Sequence, residues 1–389
     1  MCVSRNVASR KQSGVALIAF LLIFVTAASF ALLKGLNETA TQHHRDAQTA
    51  EALAEAKAAL IGYAASDPNR PGELPCPDSN NDGESVPVPD YQGLNCQRLL
   101  GWFPWKTLRL PETADGAAER LWYAVSDDYH AGDPAKLNSD LPGQLTVDGV
   151  NDVVAVILAP LEPVGGQSGR PGTDAEADVH KYLEDINSNL DLTNYTSSGA
   201  GEFNDRLIAI TRRELMVPTE RRVAGELRNV LKSYFANSSP TPSARYYPYA
   251  AQLDDSSYTC TLDERHGHVP LVMVAGSPTL IGCGGSAVLP AWFDKYNWHT
   301  VTYYAVAPSC TNTTPGGAGA LLTVNNSSPP VNNKQAIVVM TGQKLPGQIR
   351  PTTNVVDYLE AENSTPNDDI FDKITGSPTF NDVVTVVAP

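Results

Sequence analysis

Ser13-Gly14-Val15-Ala16-Leu17-Ile18 opens an apolar run that continues to Leu33. From Val15 to Leu33 no residue is charged, and only Thr26 and Ser29 are polar. The run is about 19 residues, near the minimum for a helix to cross a hydrocarbon core of about 30 Å. A short basic leader precedes it, with Arg5, Arg10 and Lys11 and no acid. Beyond Lys34 there is no proline until Pro68, so the apolar helix is expected to run on into a polar one. Three readings compete. A secretory signal would be cut near Ala27-Ala28-Ser29, but its apolar core should be about 7–15 residues, shorter than this one. A plain anchor would hold its basic end in the cytoplasm. A third kind of leader is cut between Gly14 and Val15 and leaves the apolar segment as the start of a long helix.

Arg10-Lys11-Gln12-Ser13-Gly14, followed by Val15-Ala16-Leu17-Ile18, resembles the cleavage site of type IV pilins and type II secretion pseudopilins. Arg70-Pro71-Gly72-Glu73-Leu74-Pro75-Cys76-Pro77-Asp78 extends the resemblance past the first helix. The resemblance implies cleavage after Gly14 by a prepilin peptidase and N-methylation of Val15. It also implies packing of the N-terminal helix against other pilin or pseudopilin subunits. Most such subunits carry a glutamate at the fifth mature position, where this chain has Ala19. A carboxylate inside a bilayer costs about 2.5–3.5 kcal/mol or more, so the family's glutamate needs a partner, commonly given as a neighbour's free amine. A subunit without it resembles the large minor pseudopilin placed at a filament tip.

Composition narrows the classes. The chain has 389 residues, room for two or three domains at about 100–200 residues each. A net charge of −15, with no basic run outside the leader, argues against nucleic acid and against anionic lipid surfaces. Of six cysteines, five lie beyond the apolar segment, in a compartment expected to permit disulfides. Five is odd, so at least one stays free or pairs between chains.

The order of segments repeats. Leu53, Ala56, Leu60 and Ala64 mark a helical stripe that Asp67-Pro68 ends, and Val223, Leu227, Val230, Leu231 and Tyr234 mark another that Ser238-Ser239-Pro240 ends. Gly101-Trp102-Phe103-Pro104-Trp105 is echoed by Leu289-Pro290-Ala291-Trp292-Phe293. The strand-like Trp122-Tyr123-Ala124-Val125 is echoed by Tyr303-Tyr304-Ala305-Val306. The apolar run 153–158, with Gln167 and Arg170-Pro171 after it, is echoed by the run 336–340 with Gln348 and Arg350-Pro351. Tyr182-Leu183-Glu184 and Phe203-Asn204-Asp205 are echoed by Tyr358-Leu359-Glu360 and Phe380-Asn381-Asp382. A period of about 170 residues is too long for a solenoid and reads as two copies of one helix-then-sheet unit.

Candidate chemistry is sparse. Asp78, Asn80 and Asp82 stand at positions 1, 3 and 5 of a loop with Gly83 at position 6, the opening half of a calcium loop. Position 12 is Pro89, so this is not an EF-hand, and Glu84, Asp90 or a distant acid would have to close the shell. Cys76 and Cys96 bracket that loop, and a bridge there would contribute about 3 kcal/mol. Among Cys260, Cys283 and Cys310 the pairing stays open, with the repeat position of Cys283 favouring Cys260–Cys283. Cys260, His266, His268 and Cys283 do not have zinc-finger spacing. No nucleophile elbow, zinc-protease motif or phosphate loop occurs, so no enzyme is expected. The Trp102–Trp105 stretch is either a carbohydrate or partner platform or core, and its echo favours core.

The sequence thus predicts an α+β chain: a leader at 1–14, a transmembrane and amphipathic helix at 15–65, and pilin-like helix-plus-antiparallel-sheet domains at 66–216 and 217–389. The expected role is a non-enzymatic minor pilin or pseudopilin, anchored by one span in an inner membrane and assembled at or near a filament tip. The alternative is a membrane-tethered binding or adhesion protein outside any filament.

Overall fold

A computed structural model describes residues 13–85, 87–90, 93–130, 136–170, 172, 174–190, 193–254, 256–274, 277–282, 285–374, 376–377 and 379–389. Four α-helices occur among them: α1 (Ser13–Ser66), α2 (Ala175–Tyr182), α3 (Arg212–Asn237) and α4 (Ala291–Lys295). Two principal sheets carry the core. The first is built from β1 (Leu100–Trp102), β2 (Trp122–Val125), β3 (Leu145–Val147), β4 (Val150–Ala159), β5 (Asn194–Tyr195) and β6 (Arg206–Thr211). The second is built from β7 (His266–His268), β8 (Thr302–Val306), β9 (Ala336–Met340) and β10 (Val383–Ala388).

The architecture is mixed α and β, and it corrects the expected fold class. Among the described residues no helix is long and apolar enough to cross a membrane. The transmembrane element, and with it a single-pass inner-membrane chain, is therefore not found. The expectation leaned on the apolarity of Val15–Leu33, on the basic leader before it and on the resemblance of the Gly14–Val15 site. What α1 contributes to the body is its other end: Thr49, Ala52, Leu53, Ala56, Leu60 and Ala64 are buried along one face. Nor are both sheets purely antiparallel, since β3 and β5 pair in parallel, Thr146 opposite Asn194.

Residues 153–159 of β4 are all buried because the strand is central in its sheet. β6 pairs along one of its edges and β2 along the other, both antiparallel, and β1 follows β2. The second sheet runs β10-β9-β8-β7, antiparallel throughout. The two sheets share one strand order. Tyr123 lies opposite Ile157 as Tyr304 lies opposite Val338, so the echoed strands occupy equal places.

One echo is misplaced. Gly101-Trp102 lies in β1, whereas Trp292-Phe293 lies in the short helix α4. The true counterpart of β1 is β7, His266-Gly267-His268, which keeps only the glycine. The reason is steric. A Cβ on Gly101 would sit 2.5 Å from the Asp78 carbonyl oxygen, and one on Gly267 would sit 2.0 Å from that of Ala251. In both sheets an incoming segment crosses this strand too closely for any side chain.

α1 packs on β4 and β6, α3 packs on β9 and β10 as well as on the first sheet, and the two helices pack on each other. One continuous core therefore runs from the first sheet through both helices into the second. α3 opens with a reciprocal cap: the Glu214 backbone N–H donates to the Thr211 hydroxyl and the Glu214 carboxylate accepts from the Thr211 backbone N–H. A smaller core lies on the far face of the first sheet under α2.

Candidate functional site

Cys76 and Cys96 form a disulfide, with Cα atoms 5.3 Å apart. It closes the turn-rich loop expected to hold calcium. In that loop Asp78 is buried, and both of its oxygens accept backbone hydrogen bonds. Oδ1 accepts the backbone N–H groups of Asn80 and Asn81 at 2.9 and 2.8 Å, and Oδ2 accepts that of Gly83 at 2.6 Å. Burial raises the Asp78 carboxyl above its ordinary value, while these three bonds oppose the rise. Asp82 accepts from the Glu84 backbone and from the Asn80 side chain. Such an arrangement is an Asx-type turn held by its own donors. Asp78, Asp82 and Glu84 do not converge as a ligand set. Among the described residues the only trio of His, Cys, Asp or Glu ligand atoms within 4.8 Å of one another is Cys76, Cys96 and His130. Two of its three members are the bridged sulfurs, so that trio is not a metal site either.

The other expected residues are placed as follows. Gly14 and Val15 lie in the first turn of α1. Cys260 is disulfide-bonded, and Cys283 lies outside the described residues, as does the expected pairing that depends on it. Cys310 is a buried free thiol. His266 and His268 do not approach a zinc geometry: His268 contacts the carbonyl oxygens of Thr302 and Leu253, and His266 contacts the Asp369 carboxylate. Trp102 and Phe103 are buried, so that stretch is core and not a platform.

The most organised polar chemistry is a clasp that occurs twice. In the first half the guanidinium of Arg170, almost wholly buried, donates to the carbonyls of Leu161 and Lys181 and to the Gln167 side-chain oxygen. It also lies 4.9 Å from the Tyr182 ring centroid. Gln167 donates to Glu184 at 2.7 Å. The other oxygen of Glu184 accepts the backbone N–H groups of Asn204 and Asp205. Asp205 Oδ2 accepts from the Glu184 backbone and from the Asn187 side chain.

In the second half Arg350 reaches the carbonyls of Gly342 and Asp357 and the Gln348 side-chain oxygen, with the Tyr358 ring centroid 5.5 Å away. Gln348 donates to Glu360 at 2.9 Å, Glu360 accepts from the Asn381 backbone, and Asp382 Oδ2 accepts from the Glu360 backbone and from Asn363. Arginine, tyrosine, glutamine, glutamate, asparagine and aspartate thus recur with the same bonds.

Asp205 and Asp382 each keep a buried Oδ1 without a partner among the described residues. Burial first, and the adjacent Glu184 second, push the Asp205 carboxyl up to about 8. Burial and Glu360 push Asp382 well above the carboxylate range in the same way. In each half a buried carboxyl with a raised pKa thus lies beside a second carboxyl, a familiar arrangement in acid–base sites. Here the carboxyls tie loop backbone to loop backbone, so the clasp locks the segment between β4 and β6, and likewise that between β9 and β10. Sequence reasoning quoted nearly all of these letters as echoes without seeing them as one cluster; Asn187 and Asn363 it missed. The signal was available, because polar residues repeated at matching places in two halves need a common partner.

Comparison with protein-family models, with curated proteins and with solved structures finds no match.

Proposed function

We propose that this chain is a non-enzymatic subunit of a pilin- or pseudopilin-type assembly, cleaved after Gly14 and joined to its neighbours through α1. The observation that carries the reading is the position of the cleavage signature. Gly14 and Val15 lie in the first turn of the same helix whose last turns are buried in the body. Before Thr49, residues 39–48 are exposed apart from a half-buried Arg45, so this part of α1 is open to another subunit. The Cys76–Cys96 bridge agrees with an oxidising compartment. Ala19 in place of the usual glutamate, and a doubled body, favour a terminal position over a repeating one.

The test is the mass of the N-terminal peptide of the protein isolated from its native host. A peptide beginning at Val15, with or without an added methyl, supports the reading, and Gly14→Ala should then leave the precursor uncut. A peptide beginning at Met1, or near Phe30, overturns it and leaves a binding or adhesion protein outside any filament.

A further inference from the structure

The two halves differ on the outer faces of their sheets. In the first half α2 closes that face. Trp102, Trp122 and Tyr182 meet there with ring centroids 4.8 to 6.1 Å apart, and Leu100, Leu158 and Val179 complete a dry cluster. Strand register finds the same positions in the second half. Trp102 lies opposite Trp122 as His268 lies opposite Tyr303, and Leu100 lies opposite Ala124 as His266 lies opposite Ala305. His266, His268 and Tyr303 therefore stand where the first half has leucine and two tryptophans.

The cover has changed as well. Arg170 holds the carbonyl 11 residues along, and Arg350 holds the one 7 residues along. The second-half loop is thus shorter by about one helical turn. In place of α2 it has only the 3-10 turn Val355–Asp357. A cavity of about 370 Å³ remains, within the usual range for small-molecule sites.

His266 and Tyr303, both buried, line it from below, while Asp254, Glu264, Asn354 and Asn367 line it from the more exposed side. Tyr303 is 4 % exposed. The His266 ring is fixed by Asp369, whose Oδ1 lies 2.7 Å from Nε2 and also accepts from Arg265 at 2.6 Å. Burial would raise the Asp369 carboxyl, but hydrogen bonds from His266 and Arg265 outweigh it and keep the acid charged.

The lining excludes several ligands. Among the described residues it holds no lysine or arginine, so it does not suit a phosphate or carboxylate. Its acids and histidine do not converge as metal ligands. Carboxylates and carboxamides each take two neighbouring hydroxyls at once, and an aromatic ring covers a C–H face.

We propose that this cavity binds a sugar, held by Asp254, Glu264, Asn354 and Asn367 at its ring hydroxyls over a floor of His266 and Tyr303. The inference stands whether or not the chain joins a filament. The test is saturation-transfer difference NMR on the whole chain with a panel of neutral and amino mono- and disaccharides at about 10 mM, suited to a weak site with Kd of about 1 mM. At least one sugar should receive saturation. Glu264→Gln and Asn354→Ala should each weaken that signal about tenfold, with the melting temperature unmoved. Tyr303→Phe, which keeps the ring and removes the hydroxyl, should weaken it less. No transfer to any sugar overturns the proposal, as does transfer that survives Glu264→Gln and Asn354→Ala. Equal competition by n-butylamine overturns it too, since that would mark the site as one for amines.

Discussion

Asp205 shows how a single carboxyl can set the acid–base behaviour of a fold. Its folded pKa of about 8 lies far above the value of about 3.9 expected in the unfolded chain. Between those values the folded state holds a proton that the unfolded state has released. Its stabilising contribution is therefore full below about pH 4 and is lost as pH rises through about 8. Asp382 has the same sign, and so has Glu220, pushed up to about 7 by burial. The melting temperature should fall between about pH 5 and about pH 8. Asp205→Asn with Asp382→Asn, which fixes both groups neutral, should flatten that slope; an unchanged slope would mean the two acids are already ionised in the folded protein. Asp78 tests a different point. With three backbone N–H donors on its carboxylate, Asp78→Ala should cost about 1–3 kcal/mol by leaving those donors unpaired. Because the loop is held by its own backbone, the loss should be equal in calcium and in EDTA, measured as the shift in thermal unfolding. A larger loss in calcium would show that the loop closes on the ion.

At the scale of elements, what the sequence could reveal was periodicity and what it could not reveal was crossing. The stripe Leu53, Ala56, Leu60, Ala64 is buried, and of the stripe Val223, Leu227, Val230, Leu231, Tyr234 all but the half-buried Val230 are, because a three- and four-residue spacing on a helix has one physical meaning. The run 153–158 is a central buried strand for an equally local reason. The correspondence of β1 with β7 was out of reach, since it depends on a backbone arriving from elsewhere and leaves only a glycine as its trace. That glycine is testable. Gly267→Ala would place a Cβ 2.0 Å from the Ala251 carbonyl oxygen, and Gly101→Ala one 2.5 Å from that of Asp78. Backbone cannot yield as a flexible side chain does, so each change should cost at least the about 1–3 kcal/mol of an overpacked core. Chemical denaturation of the two variants measures this, and Gly267→Ala should be the worse. The cavity over Tyr303 was hidden for a related reason. Its lining comes from five separate stretches, and only strand register shows that it replaces the aromatic cluster of the first half.

For the whole molecule, the question is whether two similar halves behave as two bodies or one. The repeated echoes predicted separate units, and the shared strand order gives each sheet its own frame. The core does not divide in the same way. α3 packs on β9 and β10 of the second sheet, on β4 and β6 of the first, and on α1. Its buried face is broad, from Leu215 and Met216 through Thr219, Glu220, Val223 and Ala224 to Leu227, Leu231 and Tyr234, wider than one sheet needs. Ser139 of the first half donates to Glu220 on the same helix, and Asn138 donates to the backbone of Tyr296 and Asn297 in the second. Truncation in the middle of α3 should therefore be felt on both sides. Leu227 is wholly buried in the shared core, and Leu227→Ala should cost about 2–5 kcal/mol. Amide hydrogen exchange in the variant should show protection falling together in β4 and β9, the central strands of the two sheets. If β9 alone loses protection while β4 keeps it, the halves unfold independently and α3 belongs to the second sheet only. If both fall by the same amount, the duplicated frames have become one cooperative body, with α3 as the element that joins them.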